Sequence, residues 1–444
     1  MNRMNKSQAA ASRGGGGVTL VVAGAGTGKT TTMIGKIINC INCGIVSPEK
    51  TAVMTFSRKA AEELGERLAK NGTSAKGIGF TGTFHSFSLK LLREYSPAYL
   101  LMTGRNSFPS LLIDGEKEEA MKAIVMRDPE RFLGMPLNAV LNIAENIDRL
   151  TPYMAGKLKG SPIYNELLSV NREYAEYKLN KNFIDYEDMV NDASLLLEKK
   201  ADVRNSVLER FTYIFVDEFQ DTSANNLRLL NAIVPDRGRN LFMVGDDFQS
   251  IYKFRRAEVS YLINIKEYFP ETSIHRLTVN YRSRKEIVSL SNRFIKLNRF
   301  RTKKVIRSAR GKGGKIFFHS TEDAAGEIKI ISSIVEGNSE NMETAILFRN
   351  NYQGALISKR LHPEFKARTG MMTMHGSKGL EFDVVIIAGV SDSIIPDRGS
   401  DIEEERRLFY VAMTRAKEEL HLIYYKNRKG ILPRFIRELG FRDE

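Results

Sequence analysis

The 444-residue sequence predicts an α/β protein with parallel sheets in two halves and a helical insertion in the first. Short apolar runs recur along the chain as VTLVVAG, TAVMTF, YIFVDE, LFMVGDD, SIHRLTV, TAILFRN, VVIIAGV and HLIYY. Helical-looking segments lie between most of them, the pattern of parallel strands covered by helices. Residues 91–184 break that pattern, being helix-like and almost strand-free, as in EKEEAMKAIVM and YNELLSVNREYAEY. After FPETS (Phe269 to Ser273) the alternation restarts. The expected organisation is a first lobe from 1–90 and 185–272, a helical subdomain at 91–184, and a second lobe at 273–444.

Bulk composition bounds the function. Lys and Arg total 67 against 53 Asp and Glu, a net charge of +14, which favours a polyanionic partner through counterion release. No apolar run approaches the roughly 20 residues that span a bilayer, so no membrane partner is expected. The opening MNRMNKSQAAASRGGGG has no signal-peptide core, and a cytoplasmic protein is expected. Cys40 and Cys43 have no second Cys or His pair at ligand spacing, so they read as small core or surface residues.

The elements follow in chain order. Gly14 to Gly17 read as a flexible loop before the first strand. The run VTLVVAGAGTGKTTTM then carries A-x-x-x-x-G-K-T from Ala23 to Thr30, directly after a strand and before a helix. Its glycines let backbone N–H groups wrap phosphates, Lys29 reaches the terminal phosphates, and the Thr30 hydroxyl can ligate Mg²⁺. Gly24, Ala25, Gly26, Thr27, Gly28, Lys29, Thr30 and Thr31 are the expected nucleoside-triphosphate cradle. YIFVDE supplies the metal-side carboxylate Asp217 and, in Glu218, a group to orient and deprotonate the attacking water. Phosphoryl transfer also needs positive charge on the transferring oxygens, for which Arg282 in VNYRSR and Arg415 in AMTRAKEE are candidates. In EERRLFYVAMTRAK, Leu408, Val411 and Ala412 follow helical spacing and read as core. The basic run RFRTKKVIRSARGKGGK (Arg299 to Lys315) reads as a solvated connection or a DNA groove.

AGAGTGKT, TFSRKAAEEL, GTFHSF, DYEDM, VDEFQDT, GDDFQSIYKFR, NYRS, TMHGSKGLEFDVV and EERRLFYVAMTRAK, in this order, resemble the consecutive motifs of the UvrD/Rep/PcrA group of superfamily 1 DNA helicases. The match runs from about residue 4 to residue 439. The resemblance implies two RecA-like P-loop lobes with ATP between them, single-stranded or tailed duplex DNA as partner, and 3′ to 5′ movement. Protein partners would come from repair, replication or defence systems. By motif match Gln8 reads the adenine, Gln249 senses the γ-phosphate, Tyr281 stacks near the base, Arg282 and Arg415 are arginine fingers, and Glu381 reaches the ribose. DNA contacts carry over to Phe56, Thr83, His85, Tyr252, Phe254, Arg255, Thr373 and His375. Core packing is the competing reading for Phe56 and Phe84. Tyr252 and Phe254 share one face if the segment is extended, with Lys253 and Arg255 on the other.

The sequence departs from the group in two places. Only about twenty residues separate TAILFRN from TMHGSKG, where the group carries a large helical insertion, and the strand-separating hairpin is reduced to a short pin at Tyr425 to Gly430. Phe254 stands where tryptophan is frequent, and Arg256 where glycine is. A translocase that strips proteins from DNA, or a non-hydrolysing nucleotide-gated DNA-binding subunit, are the alternatives to a duplex-unwinding enzyme. The last motif lies near the end of the sequence, and no appended nuclease is expected.

Overall fold

The computed structural model describes residues 4–70, 77–145, 147, 161–234, 238, 240–339, 341–397, 400–426 and 429–442. Contacts divide the chain into two compact units, one of Met1–Gly82, Arg210–Leu227 and Val234–Glu444, the other of Thr83–Glu209 and Arg228–Ile233.

The first unit holds two large sheets and a short two-stranded one. Strands β1 (Gly17–Ala23), β2 (Thr51–Thr55), β3 (Phe80–Thr83), β6 (Tyr213–Val216), β7 (Asn240–Gly245) and β8 (Ser273–Leu277) form a six-stranded sheet in the order β3-β2-β6-β7-β1-β8. β2 and β6 are buried at every residue, as expected of central strands covered on both faces. The second sheet joins β11 (Lys315–Thr321), β15 (Ala416–Tyr425), β14 (Phe382–Val390), β12 (Thr344–Phe348) and β13 (Thr369–Thr373) in that order, with every pair parallel. Its core gathers Leu347, Val385, Ile387 and Leu422 with Leu408, Val411 and Ala412 of the helix Ile402–Met413.

Three local expectations need correction. Ser273–Leu277, placed by its sequence in the second lobe, pairs with β1 in the first sheet, so that lobe extends past residue 272. FPETS marks a turn, and only long-range pairing decides which sheet the next strand joins. The Gly14–Gly17 loop is tied down: buried Lys36 donates to the carbonyls of Gly14 (2.7 Å), Gly15 (3.2 Å) and Arg13 (3.3 Å), and Gly17 already belongs to β1. The basic run is not a free solvated loop either. Arg307–Ser308 forms a short strand, β10, parallel to β9 (Val279–Asn280), Arg310 pairs with Glu418, and Lys304 is fully buried.

The second unit is helical and wider than the 91–184 segment, because Phe84–Glu94 packs along Tyr186–Lys199. Both helices start at side-chain caps, Thr83 accepting from Ser86 N and Asp185 from Asp188 N, which fix where the chain turns into each. Asp185 also accepts from Lys178 (2.8 Å) and Tyr174 (3.1 Å), so the DYEDM motif acts as an anchor for this unit. A short parallel pair, β4 (Ser110–Leu111) with β5 (Phe183–Ile184), closes it beside a core of Ile124, Phe132, Leu167 and Val170. Phe84 is buried, as its competing core reading has it, while His85 is exposed and meets Tyr186 edge to face at 5.5 Å.

Candidate nucleotide and DNA site

β1 ends in a loop that cannot carry larger residues. Gly26 and Gly28 have left-handed backbones (φ 64° and 79°), and a Cβ on Gly26 would lie 2.7 Å from Arg282 Cβ. Thr27 Oγ1 donates to Gly24 O at 2.9 Å, and Asn280 Nδ2 donates to Ala25 O at 2.7 Å, so the loop is clamped from within and from β9. The helix Lys29–Asn42 begins at Gly28 with no side-chain cap, leaving its first N–H groups and its dipole turned toward an anion.

Asp217 and Glu218 follow β6. Glu218 takes a left-handed backbone (φ 51°), a strained conformation for a non-glycine residue and one that recurs at functional sites. Lys29 Nζ lies 3.8 Å from its Oε2, and Gln220 Nε2 donates to the same oxygen. Burial works against the Glu218 charge, but Lys29 and then Lys378 outweigh it and hold the carboxyl below its usual range. Burial and the neighbouring Glu218 charge push Asp217 the other way. Thr30 and Asp217 line one cleft and make an all-oxygen donor set of the kind Mg²⁺ takes alongside phosphate oxygens.

The cleft, of about 1050 Å³, is lined by Gly24, Gly26 to Thr31, Asp217, Glu218, Gln249, Tyr281, Arg282, Glu381 and Arg415. Most of the expected nucleotide residues therefore converge across some 390 positions of sequence, from Gly24 to Arg415. Inside it they hold one another. Arg282 Nε donates to Glu381 Oε2 (2.8 Å), and Arg415 Nη2 donates to Gln249 Oε1 (3.1 Å). Gln249 Nε2 donates to Asp246 Oδ2 at 2.5 Å. Two expected residues lie elsewhere. Ala25 is buried in a small cluster with Phe248, Ile295 and Tyr410. Gln8 sits under the loop, its Nε2 on Thr27 O (3.0 Å) and its Oε1 receiving Asn5 N (2.9 Å), while Asn5 Nδ2 reaches Tyr281 Oη at 2.7 Å.

The loop after β7 leads to the expected DNA residues. Lys253–Arg255 is a single 3-10 turn and not an extended segment, so the predicted alternation of faces fails. Arg255 instead lies over both rings, 5.5 Å from Tyr252 and 5.7 Å from Phe254. Phe254 is 62% exposed and meets His375 edge to face at 5.6 Å. Burial, then Arg349, Lys378 and Arg255, lower the His375 pKa to about 4, so at neutral pH the ring offers stacking and hydrogen bonding but no charge. Thr373 ends β13, and its Oγ1 caps the turn by accepting from Gly376 N at 3.1 Å. Phe56, half-buried, follows the last residue of β2.

The turn explains why glycine is frequent where Arg256 stands. It closes the 3-10 turn with φ 68°, the left-handed region that glycine enters at no steric cost. Arg256→Gly should therefore be tolerated, whereas Arg256→Val should lose about 1–2 kcal/mol of stability, compared by thermal melts.

Sequence reasoning missed Lys378. Its Nζ donates to Asp221 Oδ2 (2.5 Å) and to Gln249 O (3.1 Å), and lies 4.6 Å from the centre of the Tyr252 ring. The lysine stands in TMHGSKG, but nothing in that string reveals partners 129 and 157 residues earlier.

A phosphate loop and an acid pair at the ends of parallel strands, with Arg282 arriving just after β9 and Arg415 just before β15 of a second parallel sheet, define a two-lobed nucleotide-binding fold of the P-loop class. Residues 4–270 match the UvrD/REP helicase N-terminal domain, and residues 275–365 and 363–427 match the UvrD-like helicase C-terminal domain. The chain belongs to the UvrD/REP helicase family. A probable DNA helicase of Mycoplasma pneumoniae is 27% identical over 95% of this chain and 83% of its own length. The ATP-dependent DNA helicase Rep of Buchnera aphidicola is 31% identical over 78% of this chain and 54% of its own, and PcrA of Bacillus subtilis 29% identical over 81% and 49%. The chain thus spans about half the length of these Rep and PcrA proteins. Among the described residues, no helix is long and apolar enough to cross a membrane.

Proposed function

We propose that the chain is an ATP-dependent DNA helicase or single-strand translocase that moves 3′ to 5′ in the cytoplasm. The observation that carries this is Lys378, one ammonium touching the Asp221 carboxylate, the Gln249 backbone and the Tyr252 ring. Fuel-side and track-side groups are then one contact apart.

In this reading Lys29 moves from Glu218 to the ATP phosphates, which frees the carboxylate to orient and deprotonate water. Thr30 and Asp217 would hold Mg²⁺, which supplies charge neutralisation on the phosphate oxygens. Arg282 and Arg415 exchange Glu381 and Gln249 for the transferring phosphoryl group, pulling the second sheet toward the first. Glu381, released, is free for the ribose, and Tyr281 for the adenine. Bases stack on Phe254 and Tyr252, with Arg255 toward the backbone.

Single-stranded DNA should accelerate ATP hydrolysis by the wild-type chain, and the absence of any stimulation overturns the reading. Phe254→Ala should weaken single-strand binding by about 1–3 kcal/mol while basal hydrolysis persists, read by fluorescence anisotropy beside steady-state turnover. A second reading, stripping of proteins with little unwinding, is favoured by the short link between β12 and β13, two helices at Asn351–Arg360 and Pro363–Ala367. Translocation on single strands without unwinding of a 3′-tailed duplex would select it.

A further inference from the structure

The acidic pair of GDDFQ is explained by a lysine that the proposed reaction does not use. Asp246, Asp247 and Lys304 are all buried with no side-chain exposure, 57 and 58 residues apart in sequence. Lys304 Nζ donates to Asp246 Oδ1 at 2.7 Å and to Asp247 Oδ1, and lies 4.0 Å from the centre of the Phe248 ring. The two acids then diverge. Asp247 also accepts from Thr302 N (2.7 Å) and Thr302 Oγ1 (2.6 Å), which pins the chain that delivers the lysine. Asp246 accepts from Phe248 N at 3.1 Å and, through its other oxygen, from Gln249 Nε2.

That second bond decides which way the Gln249 amide points. A carboxylate accepts at both oxygens, so with Lys304 on Oδ1 the Oδ2 atom faces the glutamine as an acceptor and selects its NH₂. The amide oxygen is thereby turned to Arg415 Nη2 at 3.1 Å. The line Lys304, Asp246, Gln249, Arg415 is continuous, and each link fixes the donor or acceptor sense of the next. An uncompensated buried carboxylate pair would take up a proton or admit water, and either change removes the acceptor that orders Gln249.

We propose that Lys304 is a positioning residue for the γ-phosphate response: it pairs with the Asp246 carboxylate and fixes it in place, and so sets the orientation in which Gln249 presents its amide to Arg415 and to the terminal phosphate. This rests on the reading of Gln249 as the phosphate-sensing residue. Lys304 touches neither nucleotide nor DNA in it, and acts only through Asp246.

The test is a cycle of DNA-stimulated ATP turnover over wild type, Lys304→Met, Gln249→Ala and the double variant, with thermal melts and single-strand affinity on each. Lys304→Met is expected to lower kcat about tenfold with the KM for ATP and the DNA affinity little changed, and to lower it no further when Gln249 is already alanine, the non-additivity of residues in one hydrogen-bond network. Lys304→Arg, which keeps the charge, should recover part of the loss. If Lys304→Met does not fold, Asp246→Asn takes its place: it offers Gln249 a donor where it had an acceptor, and should show the same lack of additivity. Equal losses in both backgrounds, or no loss in the single variant, overturn the proposal. A wild-type chain without DNA-stimulated turnover instead overturns the functional reading beneath it.

Discussion

Glu218→Gln is expected to cut ATP turnover by about 10²–10⁴-fold, the contribution typical of a positioned general base, while binding of ATP and of single-stranded DNA survives. The side chain is unusually well placed to isolate that term. Glutamine has the same length and can still accept from Gln220 Nε2, so the acid's orientation is kept and only its basicity is lost. Lys29 loses its partner at 3.8 Å, but in the proposed working complex its partner is phosphate. Folding should suffer little, because the left-handed backbone at Glu218 is equally strained with either side chain. Single-turnover hydrolysis with saturating ATP and DNA reads the chemical step directly. An unchanged rate would remove Glu218 from the reaction and with it the assignment of the acid pair. A large loss of ATP affinity would point to a binding role instead.

The cradle and the acid pair were legible because each is local: a strand, a turn rich in glycine and a helix start lie within sixteen residues from Val18 to Met33. The same holds for the core face of Ile402–Met413. What escaped depends on pairing at a distance. β8 looks like the first strand of a new half until its partner β1 is known. Tyr252 to Arg255 has the alternation of a strand, yet a left-handed residue at 256 closes it into a turn and brings Arg255 over the rings. Lys304 is one of several cations in a run that composition reads as solvated, and only the buried acids at 246 and 247 single it out. Gln8, Arg282 and Glu381 show a different gap. Their motif positions carry expected nucleotide roles, whereas the geometry has each engaged by protein groups, so their ligand contacts require an exchange of partners that no sequence pattern describes.

Arg415→Lys should lower kcat by about 10³-fold or more, within the range of an arginine finger, and by more than Gln249→Ala does. Arg415 is 1% exposed and spends its guanidinium on four acceptors: Val411 O (3.0 Å), Leu380 O (3.1 Å), Gln249 Oε1 (3.1 Å) and, more weakly, Thr414 Oγ1 (3.4 Å). The first two carbonyls come from the helix preceding the arginine and from the turn before β14, and they hold the plane of the fork in the second lobe. The third belongs to Gln249, the proposed phosphate sensor of the first lobe. A planar fork can keep its two anchors while the remaining N–H group passes from Gln249 to a γ-phosphate oxygen, so closure costs no reorganisation of the arginine itself. Lysine has a single point of donation on a flexible stem and cannot hold anchors and phosphate together. The charge is retained in the variant, which separates geometry from electrostatics: if charge alone stabilised the transferring phosphoryl group, turnover would fall only a few-fold. ATP affinity, measured with a fluorescent analogue, should change far less than kcat, since the arginine meets the phosphate fully only on closure. A variant that binds ATP, melts near the wild-type temperature and still turns over within a few-fold of it would show that the lobes are not read through this fork.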